Sequence, residues 1–274
     1  MRIVCSAPVV LSGFSVAVGL QAANYADSVI NYAPGTGYAV EFGTGVGYTN
    51  ATAALGAPAL TNDIGFITPF NSPYSRTDLV SLGVGGSLTV GFAAPVPNHP
   101  ANPFGLDFII FGSAAFIDAD FPNGRTDADA SMFSQNVGLN PGTTRVWVSA
   151  DNVSFFELDP ARAPVVDGLF PSDALGDPSL PVDPSLRSTA SLTNKTLSEL
   201  RSLYNGSAGG TGYNIDWAID TNGASVSLPE INFVRIDVLQ NRSEIDGIVA
   251  VPEPGTWALG AIGMAFLWAA RRPK

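Results

Sequence analysis

The chain contains 274 residues, with 13 Lys and Arg against 24 Asp and Glu, so its formal net charge is −11. Because a nucleic-acid-binding surface needs basic residues to displace phosphate counterions, this charge argues against nucleic acid as a partner. The 29 glycines and 21 prolines exceed the usual share of these residues, which favours many turns joining short strands. The composition therefore predicts an all-β protein.

Residues 1–22 have the composition of a secretory signal peptide. Arg2 is their only charged residue, and an apolar stretch covers residues 3–20. The single cysteine of the chain, Cys5, lies inside this segment, so the exported part would hold no thiol for a disulfide or a thiolate metal site. We expect signal peptidase to remove residues 1–22, with the cleavage site within a few residues of Ala22.

Short stretches rich in β-branched and aromatic residues recur through the chain and are bounded by Gly, Pro, Asn or Asp, as strands are. The strands predicted from them cover residues 28–32, 38–42, 87–92, 107–111, 145–149, 154–158, 224–228, 232–239 and 245–251. Within residues 233–238 apolar side chains alternate with Arg235 and Asp237, which indicates one buried and one solvated face. We therefore expect a two-sheet β-sandwich.

Residues 23–250 are predicted to form a single β-sandwich domain, since all-β domains reach this size. Leucines near helical spacing predict one short helix over residues 191–204. Residues 159–186 are rich in Pro and Asp and lack a regular hydrophobic period. We expect this stretch to be a long surface insertion, because strand-like segments continue on both sides of it.

Segments of the middle region resemble, in the same order, parts of the discoidin-like, galactose-binding β-sandwich family. The fragments that carry the resemblance are residues 50–58, 82–92, 145–156, and the pair 232–238 and 244–249. Asp151 and Asn152 would form the turn of the third fragment. The resemblance implies a jelly-roll-like fold and carbohydrate as the class of ligand.

Residues 251–274 contain three features in a fixed order: a proline-containing motif, sixteen uncharged residues at 255–270, and a basic tail. The motif consists of Val251, Pro252, Glu253 and Pro254, and the tail contains Arg271, Arg272 and Lys274. A helix over residues 255–270 would be about 24 Å long, which is shorter than the roughly 30 Å hydrocarbon core of a bilayer. We expect a marginal transmembrane helix whose basic tail stays in the cytoplasm.

This tail closely resembles the PEP-CTERM sorting signal, which exosortases recognise in Gram-negative bacteria that make extracellular polysaccharide. By resemblance, Pro252, Glu253 and Pro254 are the recognition strip, and the helix holds the precursor at the inner membrane until processing. The resemblance implies exosortase as a partner and the cell surface or extracellular matrix as the destination. An ordinary tail anchor is the alternative interpretation.

The most concentrated acidic segment spans residues 118–129, where Gly124 would permit a sharp turn. Its candidate calcium ligands are Asp118, Asp120, Asn123, Asp127 and Asp129. Hard oxygen ligands of this kind suit calcium, although the spacing differs from that of an EF-hand and no Glu closes the loop. A solvated acidic turn is the alternative, so calcium is the one cofactor that the sequence suggests.

The sequence predicts no enzymatic activity. Its only histidine, His99, lies in a proline-rich loop where a solvated turn residue is the simplest interpretation, and no Gly-x-Ser-x-Gly motif is present. Glycoside hydrolysis needs only two carboxylates, so the 24 acids leave it open as a minority hypothesis.

The leading hypothesis is an exported, exosortase-processed surface or matrix protein that carries a non-catalytic module for carbohydrate or exopolysaccharide. Such a module needs exposed aromatic side chains on one loop face. The candidates are Phe66, Phe70, Tyr74, Phe104, Tyr204, Tyr213 and Trp217, each of which could instead be a packing residue. The alternatives are a purely structural surface protein without a small ligand and a carboxylate-dependent glycoside hydrolase.

Overall fold

The computed structural model of the chain describes residues 23–134, 142–188 and 190–253. These residues belong to one compact unit. Within these ranges we find no helix that is both long enough and apolar enough to span a bilayer. The predicted signal peptide at 1–22 and the apolar segment at 255–270 lie outside the described residues.

The larger of two main sheets contains six strands, and every pair of neighbours is antiparallel. In spatial order they are β1 (Ser28–Ala33), β5 (Ser87–Pro97), β13 (Glu230–Gln240), β9 (Thr143–Ser149), β10 (Phe156–Leu158) and β12 (Ala218–Ile219). In β13 the side chains of Val234 and Ile236 are buried, whereas Arg235 and Asp237 point away from the core and form an ion pair at 2.8 Å. The predicted alternation of β13 is therefore confirmed.

The smaller sheet contains four antiparallel strands. In spatial order they are β11 (Thr211–Tyr213), β6 (Phe108–Gly112), β14 (Ser243–Ala250) and β4 (Val80–Leu82). Every residue of β6 and β14 is buried. Strands that are covered on both faces have no solvated side, and for this reason they show no strict alternation of polar and apolar residues.

The main hydrophobic core lies between the two sheets. It contains Val90 and Val234 from the larger sheet together with Ile110 and Ile248 from the smaller one. The two sheets therefore pack against each other, as the prediction of a two-sheet arrangement requires. The jelly-roll connectivity stays a prediction.

Two of the predicted strands are wrong. Residues 38–42 form only an isolated bridge between Val40 and Gly47, and residues 224–228 only one between Ser225 and Ile219. In the first of these segments Ala39 is buried in a small cluster with Tyr48 and Leu79, whereas Val40 and Phe42 are exposed, so the segment forms only this short bridge. Two short hairpins complete the β-structure: β2 (Thr61–Asn62) with β3 (Gly65–Phe66), and β7 (Ala114–Phe116) with β8 (Met132–Ser134).

The helix α1 (Leu197–Tyr204) begins later than predicted. Asn194 has a φ of 53°, which interrupts the chain before the helix, and Ala190–Leu192 form a separate 3-10 turn. The Thr196 hydroxyl accepts the Glu199 N–H at 3.3 Å, and the Glu199 carboxylate accepts the Thr196 N–H at 2.9 Å. This capping box satisfies two backbone donors at the N-terminus and fixes where the helix starts. Further 3-10 turns are Ala51–Ala54, Pro103–Gly105, Pro184–Ser188 and Ile215–Trp217.

Residues 159–186 are not the surface insertion that their composition predicts. Phe170 and Val182 are buried in a second hydrophobic cluster together with Phe116, Leu200 and Tyr204. The segment has no period because its backbone is irregular, and most of its aspartates instead accept local backbone N–H groups. An ion pair of 2.6 Å also joins the buried Asp173 to Arg201 of the helix.

A buried aspartate joins this segment to the smaller sheet. Asp167 accepts the N–H groups of Ser113 and Ala114 at 3.1 and 3.4 Å, and the Ser113 hydroxyl donates to the buried Glu244 at 2.5 Å. Burial raises the pKa of Asp167 to about 7; the Ser113 N–H opposes this rise and the negative charge of Glu244 adds to it. Two acidic side chains therefore meet in the interior of the molecule.

Replacement of Asp167 by Asn should make the protein more stable at pH 8 and leave it nearly unchanged at pH 4. The folded-state pKa of about 7 lies above the ordinary value of 3.8, so the folded protein keeps a proton that the unfolded chain releases. The free energy of unfolding therefore falls as the pH rises through this window, by an amount on the order of a few kcal/mol. Chemical denaturation of both proteins at pH 4, 6 and 8 measures the difference.

Asp220, a partly exposed aspartate near the protein surface, is the control for this substitution. The N–H groups of Ala224 and Asn222 hold its pKa below the ordinary value, so Asp220→Asn should lose stability at neutral pH and not gain it. Equal pH dependence in the parent and in Asp167→Asn would contradict the role assigned to the buried acid.

Candidate functional site

A groove lined by four phenylalanines, which we call the phenylalanine groove, opens beside hairpins β2–β3 and β7–β8 and the start of α1. Its volume is about 590 Å³. The lining residues are Ile64, Thr68, Phe70, Asn71, Phe116, Asp118, Phe121, Pro122, Asn123, Gly124, Phe133 and Leu197. Aromatic rings and short polar side chains thus converge on one cavity of the size that small ligands occupy.

The four phenylalanines are held in different ways. Phe116 lies on β7, is fully buried, and contacts Phe70 with ring centroids 6.3 Å apart. Phe133 lies on β8 opposite Ala115. Phe121 belongs to the loop after β7, and its side chain is 85% exposed. Phe116 and Phe70 therefore belong both to the groove and to the second hydrophobic cluster, whereas the ring of Phe121 faces solvent.

The loop that carries Phe121 is shaped by one carboxylate. Asp118 accepts the N–H groups of Asp120 and Arg125 at 2.9 Å each and that of Gly124 at 3.1 Å. Gly124 has a φ of 77°, and a Cβ at this position would lie 3.1 Å from the ring of Phe70. A side chain would be strained there and would press on the groove wall, so glycine fits both constraints.

Polar side chains on the opposite wall are also held in place. The Asn71 amide donates to the Phe66 carbonyl at 2.8 Å and accepts from Asn62 at 2.7 Å. The Thr68 hydroxyl accepts the Phe70 N–H at 3.3 Å. A hydroxyl that accepts one hydrogen bond can still donate, and an amide oxygen has a second lone pair. These groups can therefore orient the hydroxyls of a ligand without rearranging.

The predicted calcium ligands lie on this loop, and the carboxylates of two of them, Asp118 and Asp127, accept backbone N–H groups. Besides Asp118, Asp127 accepts the N–H groups of Ser131 at 2.8 Å and Asp129 at 3.1 Å. Burial disfavours the Asp127 carboxylate, but these donors and the Ser131 hydroxyl hold its pKa below the usual value. Within the described ranges no group of three or more Asp, Glu, His or Cys side chains is arranged to hold a metal. Asp120 and Asn123 are joined by a 3.4 Å hydrogen bond. A calcium site and a solvated acidic turn therefore stay as alternatives, which thermal unfolding with and without calcium distinguishes.

Two of the seven candidate aromatics are too buried to contact a ligand. Tyr204 is 2% exposed and donates its hydroxyl to the Pro171 carbonyl, and Tyr213 is fully buried and stacks on Phe108 at 5.3 Å. Both are packing residues of the two cores.

The other five candidate aromatics lie at different places in the structure. Phe70 lines the phenylalanine groove, while the exposed Phe66 sits on the neighbouring hairpin. Phe104 lies at a second depression of about 440 Å³, and the half-buried Trp217 lies under the guanidinium of Arg162. Tyr74, also half-buried, accepts a hydrogen bond from Tyr48 through its carbonyl.

His99 has a structural role in its loop. Its backbone N–H donates to the carboxylate of the buried Asp107 at 3.1 Å. Its ring Nδ1 accepts the backbone N–H of Ala101 at 3.2 Å. Contacts of this kind agree with the prediction that His99 is a turn residue.

The sorting motif begins on a buried residue. Val251 is 1% exposed, and its N–H donates to the Asp107 carbonyl at 2.8 Å. Pro252 and Glu253 are exposed. Pro254 and the basic tail of Arg271, Arg272 and Lys274 lie outside the described residues.

Sequence reasoning missed the residue that stands out most in the groove. Phe121 lies between Asp120 and Pro122 in a segment whose other residues predict an acidic turn with oxygen ligands for calcium. A large apolar side chain in the middle of a polar turn was the available signal, since such a residue has no obvious core to enter. Ile64, exposed at the turn between β2 and β3, gives the same signal.

We expect the melting temperature to be the same in millimolar calcium and in chelator. Asp118 and Asp127 already satisfy backbone donors, so calcium would have to compete with these hydrogen bonds. Thermal unfolding under both conditions, with magnesium as the ionic control, measures this. A rise in melting temperature with calcium alone, lost in Asp118→Asn, would instead establish the calcium site.

No curated protein matches the chain. The PEP-CTERM protein-sorting motif matches residues 250–272, which include the predicted recognition strip and most of the basic tail. The motif implies export, a membrane-held precursor and processing by exosortase. The discoidin-like resemblance and the Gram-negative origin stay predictions. The chain thus carries the PEP-CTERM sorting motif, whose match begins at the last residue of strand β14.

Proposed function

We propose that this protein is an exosortase-processed surface or matrix protein whose β-domain binds carbohydrate of the extracellular polymer without catalysis. The phenylalanine groove would be the binding site. The observation that carries the proposal is the side chain of Phe121, 85% exposed at the mouth of a groove lined with fixed polar groups. An exposed large apolar side chain beside a cavity is typical of a binding surface.

The chemistry of the lining fits a sugar. A pyranose ring presents apolar C–H faces, which can pack on the rings of Phe121 and Phe70, and hydroxyls, which can bond to Asn71, Thr68 and Asp118. Because these polar groups are already held by other residues, little side-chain entropy would be lost on binding.

The charge of the groove favours neutral over anionic polymers. Its described lining contains the carboxylate of Asp118 and neither Lys nor Arg, and the whole chain is acidic. An anionic saccharide would meet like charge both at the site and during approach. We therefore propose a neutral polysaccharide as the ligand.

Binding is better supported than the two alternatives. Glycoside hydrolysis uses a pair of carboxyl groups, and the described groove lining supplies one. A purely structural protein gives no reason for placing Phe121 and Ile64 in solvent at the edge of a cavity.

Replacement of Phe121 by Ala should weaken binding to neutral polysaccharide about tenfold or more, because an exposed ring that packs on a sugar contributes more than about 1.4 kcal/mol. The fold should be unaffected, since the ring is mostly in solvent. Calorimetry with fragments of the producing organism's polymer, and with neutral and anionic polysaccharides of defined composition, measures the affinity.

Phe42→Ala is the matched control, because Phe42 is a fully exposed phenylalanine outside the groove lining. It should bind as the parent does. Equal loss in both variants, preference for the anionic polymer, or no saturable binding by the parent would each count against the groove as a neutral-sugar site.

A further inference from the structure

The last strand of the domain enters the sorting motif without a spacer. The match to the motif begins at residue 250, which is the final residue of β14. Val249, Ala250 and Val251 are 0%, 4% and 1% exposed, and Pro252 is the first exposed residue. A segment that an enzyme must recognise therefore starts inside a folded strand.

Residues 23–26, which we call the N-terminal clamp, hold this end of β14. Tyr25 pairs with Val249 as an antiparallel bridge. The Ala26 N–H donates to the Ile248 carbonyl at 2.9 Å, and the Ala250 N–H donates to the Asn24 carbonyl at 2.8 Å. The first described residues of the chain thus form backbone hydrogen bonds with the last strand.

Side chains reinforce the clamp. Ala23 and Tyr25 pack against an apolar cluster that contains Val249 and Val251 from the end of the chain. The remaining members of that cluster are Ile109, Phe111 and Ala208. Val251 also donates its N–H to the Asp107 carbonyl, so the residue immediately before Pro252 is fixed by both packing and hydrogen bonding.

An enzyme that processes a peptide segment binds it extended and contacts residues on both sides of the bond it attacks. The backbone groups of Ala250 and Val251 are already used by Asn24 and Asp107. Such segments become accessible through local opening, and the reaction rate then depends on how often the open form is populated.

We propose that the N-terminal clamp controls exosortase processing: the enzyme acts on those chains in which residues 249–251 have been released from residues 23–26. The clamp then sets how often the segment is accessible. The clamp is then a positioning element for the processing reaction. The proposal rests on the sorting motif and does not depend on the phenylalanine groove, so loss of sugar binding would leave it intact.

A disulfide across the clamp tests the proposal in the full chain. Tyr25 and Val249 form a non-hydrogen-bonded antiparallel pair, whose Cα atoms lie about 4.5 Å apart, within the range that a disulfide bridges. In the Tyr25→Cys/Val249→Cys variant, loss of the tail in exosortase-containing cells should be at least tenfold slower than in either single-cysteine variant. A tenfold change corresponds to about 1.4 kcal/mol of opening free energy.

A second variant separates control of access from misfolding. A flexible six-residue Gly-Ser spacer inserted after Val251 and followed by a second copy of Ala250 and Val251 keeps the sorting motif intact. It should restore processing of the locked protein and accelerate that of the parent. The same spacer in the exposed turn at residues 43–45 is the control and should change neither rate. Tail loss is followed by mass spectrometry after a pulse of synthesis, with an exosortase-deficient strain as the baseline.

Processing of the locked protein at the rate of the single-cysteine variants would overturn the proposal. A spacer that leaves both rates unchanged would overturn it as well, because access would then not be limited by the folded end of β14.

Discussion

Strand β14 must be covered on both faces and paired on both edges, and the rest of the structure depends on this constraint. All eight of its residues are buried, and β6 and β4 supply its hydrogen-bonded neighbours. Ile245 and Ile248 enter the main core, while Asp246 accepts the Ala59 N–H with both carboxylate oxygens, at 3.1 and 3.0 Å. Burial raises the pKa of Asp246 well above its ordinary value, since a charged carboxylate is poorly solvated there. A strand that carries acids in the interior needs the loops around it to be in place.

The segment of residues 159–186 also supports the groove through its contacts with Phe116. Residues 159–186 place Asp167 against the start of β7 and pack Phe170 around Phe116. Phe116 is at once a member of the second core and a wall of the phenylalanine groove. The groove therefore shares the rigidity of a packed interior, and a ligand would meet a preformed surface with one ring, that of Phe121, in solvent.

The regular parts of the fold were predictable because their residues follow a simple period. Residues 233–238 alternate, and β13 forms with the expected faces. The burial of residues 159–186 was not predictable, since buried irregular backbone has no hydrophobic period and Pro and Asp are usually surface residues. The helix start depended on the capping box of Thr196 and Glu199, which the leucine spacing does not reveal. The residues that line the groove are scattered along the sequence between positions 64 and 197. Only the three-dimensional fold shows that Phe121 and Phe70 line the same groove.

The central feature of the molecule is a sorting motif that begins on a strand locked into the fold by the other end of the domain. Hydrogen exchange of the Ala250 and Val251 amides tests this most directly, because both donate to backbone carbonyls inside the folded unit. We expect both amides to exchange far more slowly than those of Gly43 and Thr44 in the exposed turn, at a rate set by the release of residues 249–251 from the clamp. Exchange as fast as that of the Gly43 and Thr44 amides in the exposed turn would show that the motif is free of the domain and would contradict the clamp.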